Sequence, residues 1–247
     1  MEILSLVRGS TSWWSSALVV VVSVVTLLAA SVVVPVALGN DGAIVNVGGG
    51  VRLMDEHPSV HLYSEFVHAW VSNDEVKVEC VFFLWNDGPA TTVTIGFPNN
   101  SYGADVEGSR PFRSFRSFVN GDSTAVVPMP DVDYQSYGDY RTWMVKTVEF
   151  AEQEVKCIRN EYTSSPGHDA STPPNYFFEY ILLTGGHWAG PIEVAEIVVT
   201  LEDIPPDAVQ HISPSWYDRS GNEIRWHYGG PKDETRPTME DIHVRWQ

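Results

Sequence analysis

Three aspartates in one short segment, Asp131, Asp133 and Asp139, have the type and clustering of an oxygen-ligand set for calcium. The EF-hand order fails there. The fifth position counted from Asp131 is Gln135, and the sixth, where glycine must turn the loop, is Ser136. The segment therefore offers only a weak calcium site. The histidines give no HExxH pair; His57 and His61 are four apart, but Pro58 stands between them in a non-helical context. No GxSxG elbow presents a serine nucleophile. The glycine-rich runs at 48–50 and 184–190 do not open a helix, so they lack the amide array that holds a phosphate. Acidic residues are abundant, but the paired carboxylates of glycoside hydrolysis are a spatial arrangement and cannot be picked out by spacing. The sequence thus names no catalytic residue and no cofactor.

The cysteines and tryptophans carry more information. Cys80 and Cys157 lie within strand patterns beside Val78 and Val155. If both face inward from well-separated strands, they would make an inter-sheet bridge of the kind found in immunoglobulin-like sandwiches. The alternative is two free thiols acting as small apolar residues. Among the tryptophans, Trp188 in its glycine run and Trp216, followed by Tyr217, are the candidates for an exposed aromatic surface. Flat rings of this kind bind sugars and peptides at low entropic cost. Rings capping the ends of an apolar core are the more economical reading.

These residues need elements to position them, and the elements read as strands. In 76–85, Val76, Val78, Cys80, Phe82 and Leu84 share one face while Lys77 and Glu79 begin the other. In 143–150, Met144, Lys146, Val148 and Phe150 oppose Trp143, Val145, Thr147 and Glu149. Further strands are expected at 43–47, 65–71, 91–96, 123–129, 154–162, 176–183, 192–201, 223–228 and 242–246. Asn120-Gly121 is a two-residue hairpin signal, because a type I′ turn needs positive φ at both central positions. Arg110 to Arg116 is a basic strip interleaved with Phe112 and Phe115. Its simplest account is an amphipathic strand whose arginines pair with nearby acids. The expected class is all-β, an immunoglobulin-like β-sandwich or two packed β-sandwich halves, preceded by an N-terminal apolar helix. The loops at 131–141 and 163–175 suggest halves at 40–130 and 142–247, or one continuous domain over 40–247.

The chain has 247 residues and a net charge of −17. Such an acidic surface repels phosphate backbones, so nucleic acid is not an expected partner. Residues 17–38 run without a charge and are long enough to cross a hydrocarbon core of about 30 Å. They are a signal anchor or part of a signal peptide over 1–39. Pro35, the small residues Ala37 and Gly39, and polar Asn40 favour cleavage at the Gly39–Asn40 bond. Arg8 before the segment and Asp41 after it place the body outside the cytoplasm in both cases. If the segment is not cleaved, a membrane is met only through 17–38, and the expected partner is an unknown protein or glycan of the cell envelope.

The order of pieces resembles a family of exported bacterial proteins known only as a domain of unknown function. The resemblance is carried by the Asn40-Asp41 start, the Val47 to Val51 turn and FFLWNDGPATTVTIGFPNN at 82–100. It continues through Phe118 to Gly121, TVEFAEQEVKCIRNEY at 147–162 and YILLTGGHWAGPIEVAEIVVTL at 180–201. It ends with EIRWHYGGPKDETRPTMEDIHV at 223–244. FPNN and the inserted 163–175 loop depart from the pattern, and the cysteine pair is no part of it. The resemblance implies an exported all-β protein and carries no activity or cofactor. The function expected first is an envelope-structural or protein-interaction role. A carbohydrate or peptidoglycan-binding module comes second, and a secreted hydrolase with an unrecognised carboxylate site third.

Overall fold

Alternation of buried and more exposed side chains organises strands such as Val76–Asn86 and Ile242–Trp246, as a two-residue period requires of strands buried on one face, while others are interrupted by a bulge or buried on both faces. The computed structural model describes residues 45–49, 52–54, 57–102, 112–130, 142–169, 171–182, 188–190, 192–229 and 240–247. Segment 17–38, the Gly39–Asn40 bond and the Asp131, Asp133, Asp139 set lie outside them. Among the described residues, no helix is long and apolar enough to cross a membrane.

The described strands are β1 (Val45–Gly49), β2 (Arg52–Leu53), β3 (Val60–Val71), β4 (Val76–Asn86), β5 (Thr91–Pro98) and β6 (Asn100–Tyr102). Next come β7 (Ser114–Val119), β8 (Asp122–Thr124), β9 (Val127–Pro130), β10 (Thr142–Phe150), β11 (Val155–Ser164) and β12 (Gly167–His168). The last are β13 (Tyr176–Ile181), β14 (Val194–Leu201), β15 (Val209–Ser213), β16 (Asp218–Ser220), β17 (Glu223–Gly229) and β18 (Ile242–Trp246).

They form three sheets. An eight-stranded sheet runs β16-β17-β14-β3-β4-β11-β7-β8, a four-stranded sheet β2-β5-β10-β9, and a six-stranded sheet β15-β18-β13-β1-β6 with β12 on β13. The fold is all-β and sandwich-like. Each sheet mixes strands from both sides of the 131–141 segment, and Asp41–Gln247 gather into one compact unit. The two segments 40–130 and 142–247 therefore do not close separate sheets.

The main core lies on the inner face of the eight-stranded sheet. There Val67, Ala69, Val78, Phe82, Ile158, Ile197, Val199 and Trp226 are buried, and Val148, Phe150, Ile95 and Phe97 meet them from the four-stranded sheet. A smaller cluster joins Trp143 and Val145 of β10 to Phe177 and Ile181 of β13. Strand β10 is thus buried on both faces over its first half. Gly96 of β5 leaves room there for Met54 and Trp143; a Cβ at that position would displace the end of the Met54 side chain and crowd the Trp143 ring.

Turn chemistry follows the residues. Asn120 and Gly121 have φ of 52° and 89°, the positive pair that a type I′ turn demands, and they join β7 to β8. Asn86 is fully buried and its Nδ2 donates to the carbonyls of Gly88, Pro89 and Ala151, fixing the turn after β4. Asp169 organises the 163–175 loop. It accepts from the Asn175 amide and side chain and pairs with Arg245 at 2.7 Å.

Candidate functional site

The outer face of the eight-stranded sheet carries three cross-strand rows. Phe118, Arg159, Val81 and Phe66 form one; Arg116, Glu161, Glu79 and His68 the next; Ser114, Thr163, Lys77 and Trp70 the third. None of these twelve side chains is fully buried. At the end of the third row a cleft of about 410 Å³ opens. Trp70, Lys77, Glu79, Ser114, Arg116, Glu161, Thr163 and Glu202 line it, with Val78 and Tyr162 completing it. That size falls within the range of small-molecule sites.

The cleft is built from paired charges. Arg116 meets Glu161 at 2.5 Å, and Arg159 bridges Glu161 and Glu79. Lys77 meets Glu75 at 3.2 Å. Cations and carboxylates therefore largely neutralise one another, with Glu202 an additional acid at the rim. Trp70 stacks on His68 with ring centroids 3.8 Å apart, and His68 Nε2 lies 2.9 Å from Thr200 Oγ1. Burial holds the His68 imidazole below its ordinary pKa, against the pull of Glu223 and Glu79, so the ring beneath Trp70 is neutral at pH 7. The arrangement is a flat indole fixed by a neutral ring and bordered by hydroxyls and carboxylates.

The residues expected to be exposed behave differently from one another. Trp188 is buried, 6% exposed, and belongs to the main core, which matches the core-capping reading and sets aside the open platform as its role. The Ala189 amide donates to the Val60 carbonyl and ties the glycine run against β3. Trp216 is half-buried, edge-on to Tyr228 at 4.6 Å; Tyr217 is 36% exposed beside Trp226. The two do not reach the cleft lining. Arg113 and Arg116 of the basic strip pair with Glu75 and Glu161, as an amphipathic strand in an acidic chain should.

The cysteine bridge is also corrected. Cys80 and Cys157 are free. They sit on neighbouring strands, with Cys80 opposite Asn160 and Cys157 opposite Phe83. Three positions separate Cys157 from Asn160, so the pleat points the two thiols to opposite faces of one sheet. Among the described residues, no group of three or more His, Cys, Asp or Glu could hold a metal ion.

Two buried polar clusters on the inner face were not anticipated. In the first, the Tyr180 hydroxyl donates to Glu65 Oε1 at 2.6 Å and lies 3.6 Å from Cys80 Sγ. Burial pushes Glu65 up to about 7, partly opposed by the Tyr180 hydrogen bond, and pushes the Cys80 thiol well above its usual value. In the second, Lys146 Nζ of β10 donates to Ser117 Oγ of β7 and lies 3.2 Å from Asn160 Oδ1 of β11. Ser117 Oγ donates to the same Oδ1 at 2.7 Å. Burial lowers Lys146 to about 7.

No known family profile matches the chain, and no curated protein matches it in sequence. Solved structures match in shape. A candidate nutrient-binding protein of Legionella pneumophila superposes with a TM-score of 0.64 at 18% identity, over 83% of this chain and 72% of that one. This likeness shows a shared fold. An M1 zinc metallopeptidase of Deinococcus radiodurans bound to a Tyr-Ser-Ala substrate gives a TM-score of 0.38 at 8% identity, over 70% of this chain and 39% of that one. Yeast LTA4 hydrolase with bestatin gives 0.42 at 9% identity, over 78% of this chain and 29% of that one.

Proposed function

We propose that this chain is an extracytoplasmic binding protein whose ligand, a small neutral polar molecule of the saccharide class, seats on the open face of the eight-stranded sheet. The carrying observation is the 410 Å³ cleft in which Trp70 lies among hydroxyls and internally paired charges. A saccharide suits it: its apolar ring face covers an indole, and its hydroxyls exchange hydrogen bonds with Ser114, Thr163 and the carboxylates. Free anions gain little there, because the lining's three glutamates outnumber Lys77 and Arg116. Export rests on the uncharged 17–38 segment. The fold shared with a candidate nutrient-binding protein agrees with a binding role.

The test is intrinsic fluorescence of the purified body titrated with a panel of envelope mono- and oligosaccharides, alongside Trp70→Ala. Saturable quenching by one panel member, abolished in the variant, supports the reading. An unchanged spectrum throughout, with no heat of binding by calorimetry, overturns it.

A protein-interaction role is favoured by the other end of the face. Tyr63 and Phe66 are 52% and 39% exposed, and Phe66 packs edge-on to Phe83 at 6.4 Å. Exposed aromatic clusters of this kind are energetic anchors of protein interfaces. Phe66→Ser would then abolish partner capture while leaving saccharide quenching intact.

A further inference from the structure

The Lys146, Ser117 and Asn160 cluster is independent of the open face and asks for its own explanation. All three side chains are buried, at 6%, 2% and 1% exposure. Among the described residues, the polar partners of Lys146 Nζ are Ser117 and Asn160, and no carboxylate acts on it. A buried ammonium without a counter-charge sheds its proton, and burial is the cause that lowers this lysine. With its pKa lowered to about 7, a substantial share of the amine facing Asn160 is uncharged at neutral pH and carries a lone pair. The Asn160 Nδ2, meanwhile, is buried with no hydrogen-bond partner. A structural network would be expected to satisfy that amide; here only its carbonyl end is held.

We propose that Lys146 and Asn160 join covalently, as an intramolecular isopeptide bond between the four-stranded and eight-stranded sheets. The amine sits 3.2 Å from the carboxamide oxygen, one bond from the carbon it would attack. Ser117 donates to that oxygen at 2.7 Å, which draws electron density from the carbonyl and makes its carbon electrophilic. Lys146 Nζ attacks Cγ and a new C–N bond forms. The excess proton on Nζ passes to Nδ2, which the same carbon carries beside it in the tetrahedral adduct, while Ser117 holds the oxygen. The Cγ–Nδ2 bond breaks and ammonia leaves. No oxidant, reductant or external group is needed. The group that departs is the one the fold leaves without a partner, so the product has one orphaned donor fewer.

The test is intact-mass spectrometry of the folded full chain, followed by tryptic mapping. The expected result is a mass about 17 Da below that of the sequence, the loss of one ammonia. It should map to a branched peptide joining Lys146 to Asn160, with trypsin no longer cutting after Lys146. Lys146→Met and Asn160→Leu should each restore the full mass, and Ser117→Ala should slow the appearance of the branched peptide. Recovery of Lys146 and Asn160 in separate, unmodified peptides from folded wild-type protein overturns the proposal. The same holds if a deficit of that size maps instead to a succinimide at Asn120-Gly121.

Discussion

The two faces of the eight-stranded sheet handle ionisable groups in opposite ways. On the outer face, Arg116 and Glu161, or Arg225 and Glu196, meet at 2.5 Å as solvent-exposed ion pairs. On the inner face, Glu65 and Lys146 have no ion partner among the described residues; hydrogen bonds from a phenol and to a hydroxyl take that place. Solvent makes the outer pairs nearly neutral in stability, whereas desolvation makes the inner groups expensive to charge. One pleat, alternating every residue, thus separates a surface adapted to ligands from an interior where titration is coupled to folding.

The comparison breaks most sharply at Lys146. Asn160→Leu leaves the amine free and buried. Its folded pKa, about 7, lies below the ordinary 10.5, so the unfolded chain holds more protons between these values and stability rises with pH. Urea midpoints of that variant should climb from pH 7 to 10.5, by an upper figure of about 5 kcal/mol. The linked wild type, whose nitrogen is an amide, should stay flat over the same interval.

Glu65 gives the reverse slope. Its folded pKa, about 7, lies above the ordinary 4.5, so its contribution is complete below 4.5 and is lost as pH rises to 7. The loss should be about 3 kcal/mol, and Glu65→Gln should abolish it in the same urea series. Tyr180→Phe removes the one hydroxyl that donates to this carboxyl and should cost about 1–3 kcal/mol at pH 7, read as a lowered midpoint at unchanged slope. The smallest effect belongs outside. Arg116→Ala exposes Glu161 to water already at hand and should change stability by less than about 1 kcal/mol, while altering any ligand quenching of Trp70.

Much of this was written in the alternation. The inner set of β4, from Val76 to Leu84, and the Asn120-Gly121 turn are where the period and the φ requirement put them. Lys146 was legible as a lysine on the face of Val148 and Phe150, an anomaly that marks a functional or strained position. Its partners were not legible, because Ser117 and Asn160 meet it through the packing of two sheets, and sheet order has no local signature. The cysteines failed for the same reason. Each strand was identified, but only the β4–β11 register shows that Cys80 and Cys157 point apart. Trp188 sits in a glycine-rich run that reads as a loop tip, and its backbone bond to β3 draws it inward. The cleft joins residues of β3, β4, β7 and β11, which no spacing rule brings together.

The placement of β3 bears on how the chain is made. This strand lies in mid-sheet, antiparallel to β4 on one side and parallel to β14 on the other. The two halves of that second pairing are far apart in the chain; His68 and Thr200, which bond across it, are separated by 132 residues. A ribosome adding about 5–20 residues per second leaves the β14 side of β3 unpaired for roughly ten seconds. Throughout that interval a twelve-residue strand with one largely apolar face offers open amides and carbonyls to any neighbour, including another nascent copy. Crossing a membrane before folding would keep such nascent copies apart, and slow closure of the sheet would help the chain stay unfolded until it had crossed.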